Sequence, residues 1–267
     1  MKFSTDLARF VEAKAASIKA LKNRREWVQY PGPRPGFGEA LAQAKRERGL
    51  GFLAEYKRAS PSLGDINLTL TPQGAAEHYQ RADCLSVLTE EVWFKGNIDY
   101  LSAMKVSGKP LLRKDFIFDP LQVLETAQTP ASALLLMVRL TPDEVLLKEL
   151  MAAARENGLE ALVEVFGLRE LDLARRVGAK LIQFNSRDLG SLKVDTAKIF
   201  ALAKSEPPRD GEFYVAASGL STPGDLVSAA QSGFGAVLIG TKLMKSADPG
   251  QTLGGFIDFF EAAYQKP

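Results

Sequence analysis

The sequence predicts an α/β protein whose strands and helices alternate as in a (β/α)₈ TIM barrel. From about residue 51 onward, short runs of aliphatic and β-branched residues alternate with longer segments of helical periodicity, which is typical of parallel βα units. About eight such units can be counted, and eight is the number that closes a barrel. The 267 residues, of which 46% are hydrophobic, supply enough apolar side chains for the core of such a domain.

Apolar runs without polar alternation predict eight strands buried on both faces. They cover residues 52–56, 84–88, 110–112, 133–137, 161–165, 181–184, 214–216 and 236–239. Apolar residues three and four positions apart predict helices at residues 72–80, 97–106, 121–126, 142–157, 168–177, 195–204, 222–232 and 252–264. Prolines are expected in the first turns of three helices and glycines at the ends of three, at Pro72, Pro142 and Pro223 and at Gly158, Gly178 and Gly233.

The first 50 residues do not follow the βα pattern and are interpreted as an N-terminal helical cap on the barrel. A helix is predicted at residues 7–21, a proline-rich turn at 31–35 and a second helix near 39–48. No low-complexity linker follows them. We therefore expect residues 1–267 to form a single domain, with 51–267 as the barrel.

Charge and cysteine content exclude several classes of protein. Lys and Arg number 34 and Asp and Glu 32, so a net charge of +2 provides no broad basic surface for nucleic acid or an anionic membrane. Cys84 is the single cysteine and His78 the single histidine, so neither an internal disulfide nor a zinc site of the two is expected. The N-terminal residues lack the apolar core of a signal peptide, and no run approaches the roughly 20 apolar residues of a membrane span, which favours a cytoplasmic protein.

Three charged residues, Glu55, Lys114 and Glu164, lie in or just past strands that are otherwise apolar. In a (β/α)₈ barrel the C-terminal ends of the strands face the active site. A buried carboxylate requires a nearby cation, and Lys57 and Lys114 are the candidates. A structural salt-bridge network is the alternative, but the position of several such residues at one end of different strands favours catalysis. We expect the cluster to bring lysine and glutamate pKa values towards neutral pH.

The loops after the second and sixth strands carry further candidate binding residues. Asn185 and Arg187 are suited to orienting an anionic or polar group, although a strand-to-helix turn capped by Asp188 is an equal alternative. Trp93 and Phe94 are candidates for the floor of a pocket that accepts an aromatic ring, or for padding at the barrel rim.

The loops after the seventh and eighth strands predict a phosphate site. Ser218-Gly219 and Gly240-Thr241 let backbone N–H groups approach an oxyanion closely, and phosphate sites of this fold are frequent in these two loops. The long loop at residues 58–71 is expected to be a mobile lid over the site, with a passive surface loop as the alternative.

Seven segments, which together span most of the chain in order, resemble indole-3-glycerol phosphate synthase. They are Glu55-Tyr56-Lys57-Arg58-Ala59-Ser60-Pro61-Ser62, Ser86-Val87-Leu88-Thr89, Phe94-Lys95-Gly96, Leu112-Arg113-Lys114-Asp115-Phe116, Val163-Glu164-Val165, Asn185-Ser186-Arg187-Asp188-Leu189 and Ser218-Gly219. The resemblance implies an enzyme of tryptophan biosynthesis that closes the ring of 1-(2-carboxyphenylamino)-1-deoxyribulose 5-phosphate, releasing carbon dioxide and water without a cofactor.

The resemblance also implies a role for each candidate residue. It implies that Lys114 is the general acid that activates the ketone, and that Lys57 holds the carboxylate and takes part in proton transfer. Glu164 is implied as the acid or base of the dehydration, and Glu55 as the residue that orients the lysines. The substrate contacts implied are positioning by Asn185, Arg187, Phe94 and Phe116, and a phosphate site made by Ser60, Ser218, Gly219, Gly240 and Thr241.

The chain departs from the family pattern at two places. Ala217 stands where a glutamate is expected before Ser218-Gly219, and Gln183-Phe184 stands where Gly-Ile is expected before the asparagine. Loss of one carboxylate is expected to alter the lysine pKa values and slow turnover. We therefore expect Ala217→Glu to raise the rate.

Two other functions compete with the synthase. An enzyme similar to phosphoribosylanthranilate isomerase needs an acid and a base but no lysine pair, so Lys57 and Lys114 argue against it. A barrel that keeps the phosphate site but has lost catalysis is supported by Ala217 and opposed by both lysines and Glu164. The partner expected is a phosphorylated small molecule, and the chain is expected to be a monomer.

Overall fold

The computed structural model describes residues 5–188 and 190–264. Its barrel strands are β1 (Gly51–Tyr56), β2 (Cys84–Leu88), β3 (Leu111–Lys114), β4 (Ala133–Met137), β5 (Glu160–Val165), β6 (Leu181–Asn185), β7 (Phe213–Ala217) and β8 (Ala236–Ile239). Its α-helices are α1 (Thr5–Lys22), α2 (Phe37–Arg48), α3 (Pro72–His78), α4 (Asp99–Met104), α5 (Pro120–Ala127), α6 (Glu144–Glu156), α7 (Leu168–Arg176), α8 (Thr196–Ser205), α9 (Pro223–Gln231), α10 (Thr241–Met244) and α11 (Pro249–Tyr264). Leu189 of the sixth-strand segment lies outside the described residues.

The eight strands close into a parallel barrel in which each pairs with its neighbours in chain order and β8 pairs with β1. Side chains alternate between the two faces of each strand. Inward residues such as Leu53, Leu112 and Leu162 fill the barrel, whereas outward residues such as Val163 and Tyr214 pack beneath the helices. The predicted (β/α)₈ class is therefore confirmed.

Several predicted boundaries are wrong by one to three residues, and two of these differences have a clear physical reason. The third strand continues through Arg113 to Lys114, beyond the predicted 110–112, because Arg113 is buried and paired with Asp115 and Glu125. Pro142 does not begin a helix. The Asp143 side chain accepts hydrogen bonds from the N–H groups of Val145 and Leu146 at 2.8 and 3.0 Å, so α6 begins after Asp143.

The N-terminal segment contacts both ends of the barrel. At the N-terminal end, the N–H groups of Phe37 and Gly38 donate to the Glu160 carboxylate, which fixes the start of α2. At the C-terminal end, Lys14 of α1 lies 3.1 Å from Asp115, the residue after β3. The predicted helices at residues 7–21 and 39–48 therefore correspond to α1 and α2.

Lys14 and Asp115 belong to a buried group of charges between α1, β3 and α5, which we call the α1 cluster (Lys14, Arg113, Asp115 and Glu125). Arg113, 2% exposed, lies 3.1 Å from Asp115 and 2.8 Å from Glu125. Its guanidinium also donates to Thr89, Thr126 and the Gln122 carbonyl.

The loop at residues 58–71 contains an unpredicted hairpin of two-residue strands, Ala59–Ser60 and Gly64–Asp65. The four-residue helix α10 was not predicted either. Both elements are too short to produce a hydrophobic period. Within residues 5–188 and 190–264, no helix has the length and apolar character needed to cross a membrane.

Candidate active site

The pairing register brings four side chains to one level inside the barrel. The register advances by about one residue per strand, so alternate strands contribute to a common layer of four side chains. The layer at the C-terminal end of the barrel contains Glu55 on β1, Lys114 on β3, Glu164 on β5 and Ala217 on β7. We call it the upper layer. Three residues predicted to carry charge into the barrel therefore meet there.

Glu55 bridges the two predicted lysines. Its Oε1 lies 2.7 Å from Nζ of Lys57, and its Oε2 lies 3.5 Å from Nζ of Lys114. The carboxylate is 2% exposed, and Oε2 has no hydrogen-bond partner within the described part of the chain. Glu55 therefore orients both ammonium groups while leaving hydrogen-bonding capacity at the centre of the site.

The charges of the upper layer set each other's protonation. Burial alone would raise the pKa of Glu55, but Lys57 and Lys114 outweigh it and hold that pKa below its usual value. Burial alone would lower the pKa of Lys114, but Glu55 and Glu164 raise it above normal. The expectation that the lysine pKa moves towards neutrality is therefore wrong for Lys114, because paired carboxylates stabilise its ammonium form.

The pKa of Glu164 is shifted in the opposite direction from that of Glu55. Burial raises its pKa, and the opposing effects of Lys114 and of hydrogen bonds from Asn185 and Gln183 do not cancel this rise. The amide of Gln183 donates to Oε2 of Glu164. A carboxyl group whose pKa lies above normal is suited to exchanging a proton near neutral pH.

Aromatic rings cover the side of the site nearest α1. Phe116 stacks on Phe10 of α1 with ring centroids 4.4 Å apart, and Phe94 lies 6.1 Å from Phe116. Trp93 contacts Phe10 edge-on at 5.8 Å and is not among the residues that line the cavity. Phe94, but not Trp93, is therefore placed to contact a bound aromatic ring.

The loops after β7 and β8 bring backbone close to the site. Ser218 and Gly219 both adopt positive φ, 68° and 74°, and the Ser186 hydroxyl donates to the Ser218 carbonyl at 2.8 Å. A Cβ at Gly240 would lie 3.0 Å from Cβ of Glu55, so only glycine lets this backbone approach the upper layer. These conformations are typical of loops that present N–H groups to an anion.

The loop after β6 is held by its own polar groups. Asn185 accepts a hydrogen bond from the N–H of Arg187 at 2.9 Å, and the Arg187 guanidinium donates to the Leu192 carbonyl at 2.9 Å. Asp188 accepts from the N–H groups of Gly190 and Ser191, whereas the N-cap of α8 is Asp195. The alternative that Asp188 caps the next helix is therefore wrong.

One cavity of about 500 Å³ lies at the C-terminal end of the barrel. Trp93 is not among its lining residues, but the predicted catalytic and substrate-binding residues are, namely Glu55, Lys57, Ser60, Phe94, Lys114, Phe116, Glu164, Asn185, Arg187, Ser218, Gly219, Gly240 and Thr241. Phe10, Lys242 and Lys245 also line it and were not predicted. The Phe10 ring lies on the apolar face of a helix, where the sequence pattern does not distinguish a wall of the site from packing.

Comparison with known proteins assigns the chain to a family. The family model described as indole-3-glycerol phosphate synthase matches residues 7–255. This chain belongs to the indole-3-glycerol phosphate synthase family. Relatives of that name include one from Rhizorhabdus wittichii, 42% identical over 80% of this chain and 81% of its own, and one from Chlorobium luteolum, 40% identical over 91% and 95%.

Solved structures support the fold independently. The 3-hexulose-6-phosphate synthase from Salmonella typhimurium superposes with a TM-score of 0.60 over 79% of this chain and 98% of its own. At 15% identity this similarity shows the barrel and no more.

Each departure from the expected family pattern places a changed residue inside the barrel, whereas Phe184 packs outward against Tyr214 and Phe234. Ala217 is fully buried and occupies the fourth position of the upper layer. Gln183 is fully buried on β6, with register partners Glu164 on β5 and Val215 on β7. Relative to the expected family pattern, this chain thus lacks one inward carboxylate and has one additional inward amide.

Proposed function

We propose that this chain catalyses the reaction of its family, the conversion of 1-(2-carboxyphenylamino)-1-deoxyribulose 5-phosphate to indole-3-glycerol phosphate. The observation that carries the proposal is the upper layer, in which the Lys114 ammonium lies between two buried carboxylates at the floor of the cavity. Ser218, Gly219 and Gly240 on the opposite rim are proposed to hold the phosphate, together with Ser60 and Thr241.

In the ring closure, the aromatic ring attacks the substrate ketone and a carbon–carbon bond forms. Negative charge develops on the ketone oxygen, and the preorganised Lys114 ammonium stabilises it and donates a proton as general acid. Glu55 keeps Lys114 and Lys57 in place, and Lys57 holds the substrate carboxylate until it leaves as carbon dioxide. Phe94 and Phe116 are proposed to contact the aryl ring.

In the dehydration, the hydroxyl formed from the ketone leaves as water and a proton is removed from the ring system. The raised pKa of Glu164 supports its assignment to this proton exchange, with Lys57 as the second group. Asn185 and Arg187 are proposed to position the substrate. Asn185 contributes a hydrogen bond to Glu164 as well.

A barrel that binds phosphate but has lost catalysis is the second candidate, and Ala217 is the observation that favours it. A missing carboxylate in the upper layer removes one potential proton acceptor. The retention of Glu55, Lys57, Lys114 and Glu164 around one cavity argues for the synthase.

The test is to mix the purified chain with the carboxyphenylamino substrate, without metal or cofactor, and to follow indole fluorescence beside a Lys114→Ala control. A rise that the control abolishes supports the synthase. No rise, with a thermal shift on adding substrate, supports the non-catalytic barrel.

We also propose that the chain acts as a single-domain, cytoplasmic monomer on this small phosphorylated substrate. Support comes from the net charge of +2 and from Cys84, a buried free thiol whose pKa is raised by burial. Contacts of α1 and α2 at the two ends of the barrel support one folding unit. One cooperative unfolding transition and a sedimentation mass near 29.1 kDa are expected.

A further inference from the structure

Gln183 is an unusual residue to find inside this barrel. Its side chain is fully buried, in a layer whose other members are Ser86, Leu135 and Leu238. The family pattern predicts glycine at this position. A methionine or leucine would fill the same volume without burying an amide, so packing alone does not account for glutamine.

The amide is satisfied on one side only. Its Nε2 donates to Oε2 of Glu164, whereas its Oε1 has no hydrogen-bond partner within residues 5–188 and 190–264. An unpaired buried acceptor lowers stability. The contact that offsets this cost is directed at the carboxyl group proposed for the dehydration.

We propose that Gln183 is a positioning residue for Glu164, which holds one carboxyl oxygen so that the other is presented to Asn185 and the substrate. The inference rests on the proposed function of Glu164. It extends that function, because the amide is a feature of this chain that the family pattern lacks. Gln183 lies on β6, between the strands that carry Glu164 and Ala217. Glu164 is its register partner on β5, whereas the register partner of Ala217 is Asn185, two residues further along β6.

The donor also favours the ionised form of Glu164. The other charged groups that act on this carboxyl are Lys114 from β3 and Glu170 from α7, and Glu55 and Arg187 act on Lys114 in turn. Loss of the Gln183 donor leaves these groups unchanged and removes one contribution that lowers the pKa of Glu164. That pKa is therefore expected to rise, and the limb of the pH–rate profile that reports it is expected to move to higher pH.

The experiment compares Gln183→Met, which keeps the volume without the donor, with Gln183→Gly, which restores the residue of the family pattern. Ser86→Ala is the matched control, because Ser86 is a buried polar residue of the same layer whose Oγ has no partner among the described residues. We expect kcat to fall about tenfold in Gln183→Met, with KM within about twofold and the Glu164 limb at higher pH. Ser86→Ala is expected to keep the wild-type profile.

A ¹³C NMR titration of the glutamate carboxyl carbons, with Glu164→Gln to assign the resonance, measures the same pKa without activity. The pKa of Glu164 is expected to be higher in Gln183→Met and Gln183→Gly than in the wild type. Wild-type pH limbs and an unshifted Glu164 resonance in both variants would overturn the proposal. An inactive wild-type protein would instead overturn the synthase assignment, and the NMR comparison would still decide the role of Gln183.

Discussion

The α1 cluster and the upper layer are both buried groups of opposite charges, and they share strand β3, on which Arg113 and Lys114 point to opposite faces. In the α1 cluster, Arg113 donates to several partners and Asp115 accepts from Arg113, Thr89 and Lys14. In the upper layer, Lys114 has its nearest carboxylate oxygen at 3.5 Å, and Oε2 of Glu55 has no hydrogen-bond partner among the described residues. Complete hydrogen bonding is typical of a buried charge cluster with a structural role. Incomplete hydrogen bonding leaves charged and polar groups available to a substrate.

Replacing Lys114 is expected to have the largest effect of all the substitutions, and that effect is on activity rather than on stability. Lys114→Met should lower kcat/KM by at least about 10³-fold, because it removes the charge that stabilises the ketone oxygen and the proton donor. The free energy of unfolding should change by less than about 2 kcal/mol, because the lysine is incompletely paired. Steady-state kinetics beside urea unfolding measures both. Retention of a tenth of the activity would contradict the assignment.

Replacing Arg113 is expected to have the opposite effects, a large loss of stability and a small change in activity. Arg113→Met leaves Asp115 and Glu125 without their shared cation and should lower the free energy of unfolding by about 3–5 kcal/mol. The activity per folded molecule, measured by active-site titration at low temperature, should stay within about tenfold of wild type. Equal stability of the Arg113 and Lys114 variants would break the distinction between the two groups.

The pH dependence of stability separates the same two regions. Burial alone would raise the pKa of Asp115, but Arg113 and Lys14 hold it below normal, so its ionised form stabilises the fold above the unfolded-state pKa of about 3.9. This contribution is lost as pH falls through the folded pKa. Asp115→Asn should therefore cost about 2–3 kcal/mol at neutral pH and less in acid.

The contribution of Glu164 to stability depends on pH in the opposite direction from that of Asp115. Its folded pKa is raised, so its contribution to stability is present at low pH and is lost as pH rises through that pKa. Glu164→Gln should be at least as stable as wild type at neutral pH. Urea unfolding between about pH 2 and about pH 8 covers the pH ranges of both effects and measures both variants. A neutral-pH loss for Glu164→Gln equal to that of Asp115→Asn would contradict the assigned directions.

The upper layer could be predicted from the sequence, whereas the α1 cluster could not. Glu55 and Lys57 are two residues apart, and strand ends of a parallel barrel meet, so their association with Lys114 and Glu164 followed from the βα pattern. The end of β3 was predicted too early because three consecutive charges, residues 113–115, are typical of a loop. Asp115 is buried beside Lys14, which is 101 positions away in the chain and belongs to a helix outside the βα repeat.

Ala217→Glu is expected to have the smallest effect. In the upper layer, position 217 on β7 faces β3 across the barrel, so a carboxylate there adds a proton acceptor opposite Lys114. We expect kcat to rise about two- to fivefold. The free energy of unfolding should fall by about 1–3 kcal/mol, because Ala217 is fully buried and a carboxylate at this position loses its hydration.

The control is Ala217→Gln, which has nearly the same shape as glutamate and no charge. If charge is what the upper layer lacks, the glutamine variant should lose similar stability without the gain in kcat. A rate for Ala217→Glu that is unchanged or lower, in a variant that folds with the wild-type circular dichroism spectrum, would mean that three charged residues suffice. The upper layer would then resemble the α1 cluster in being complete.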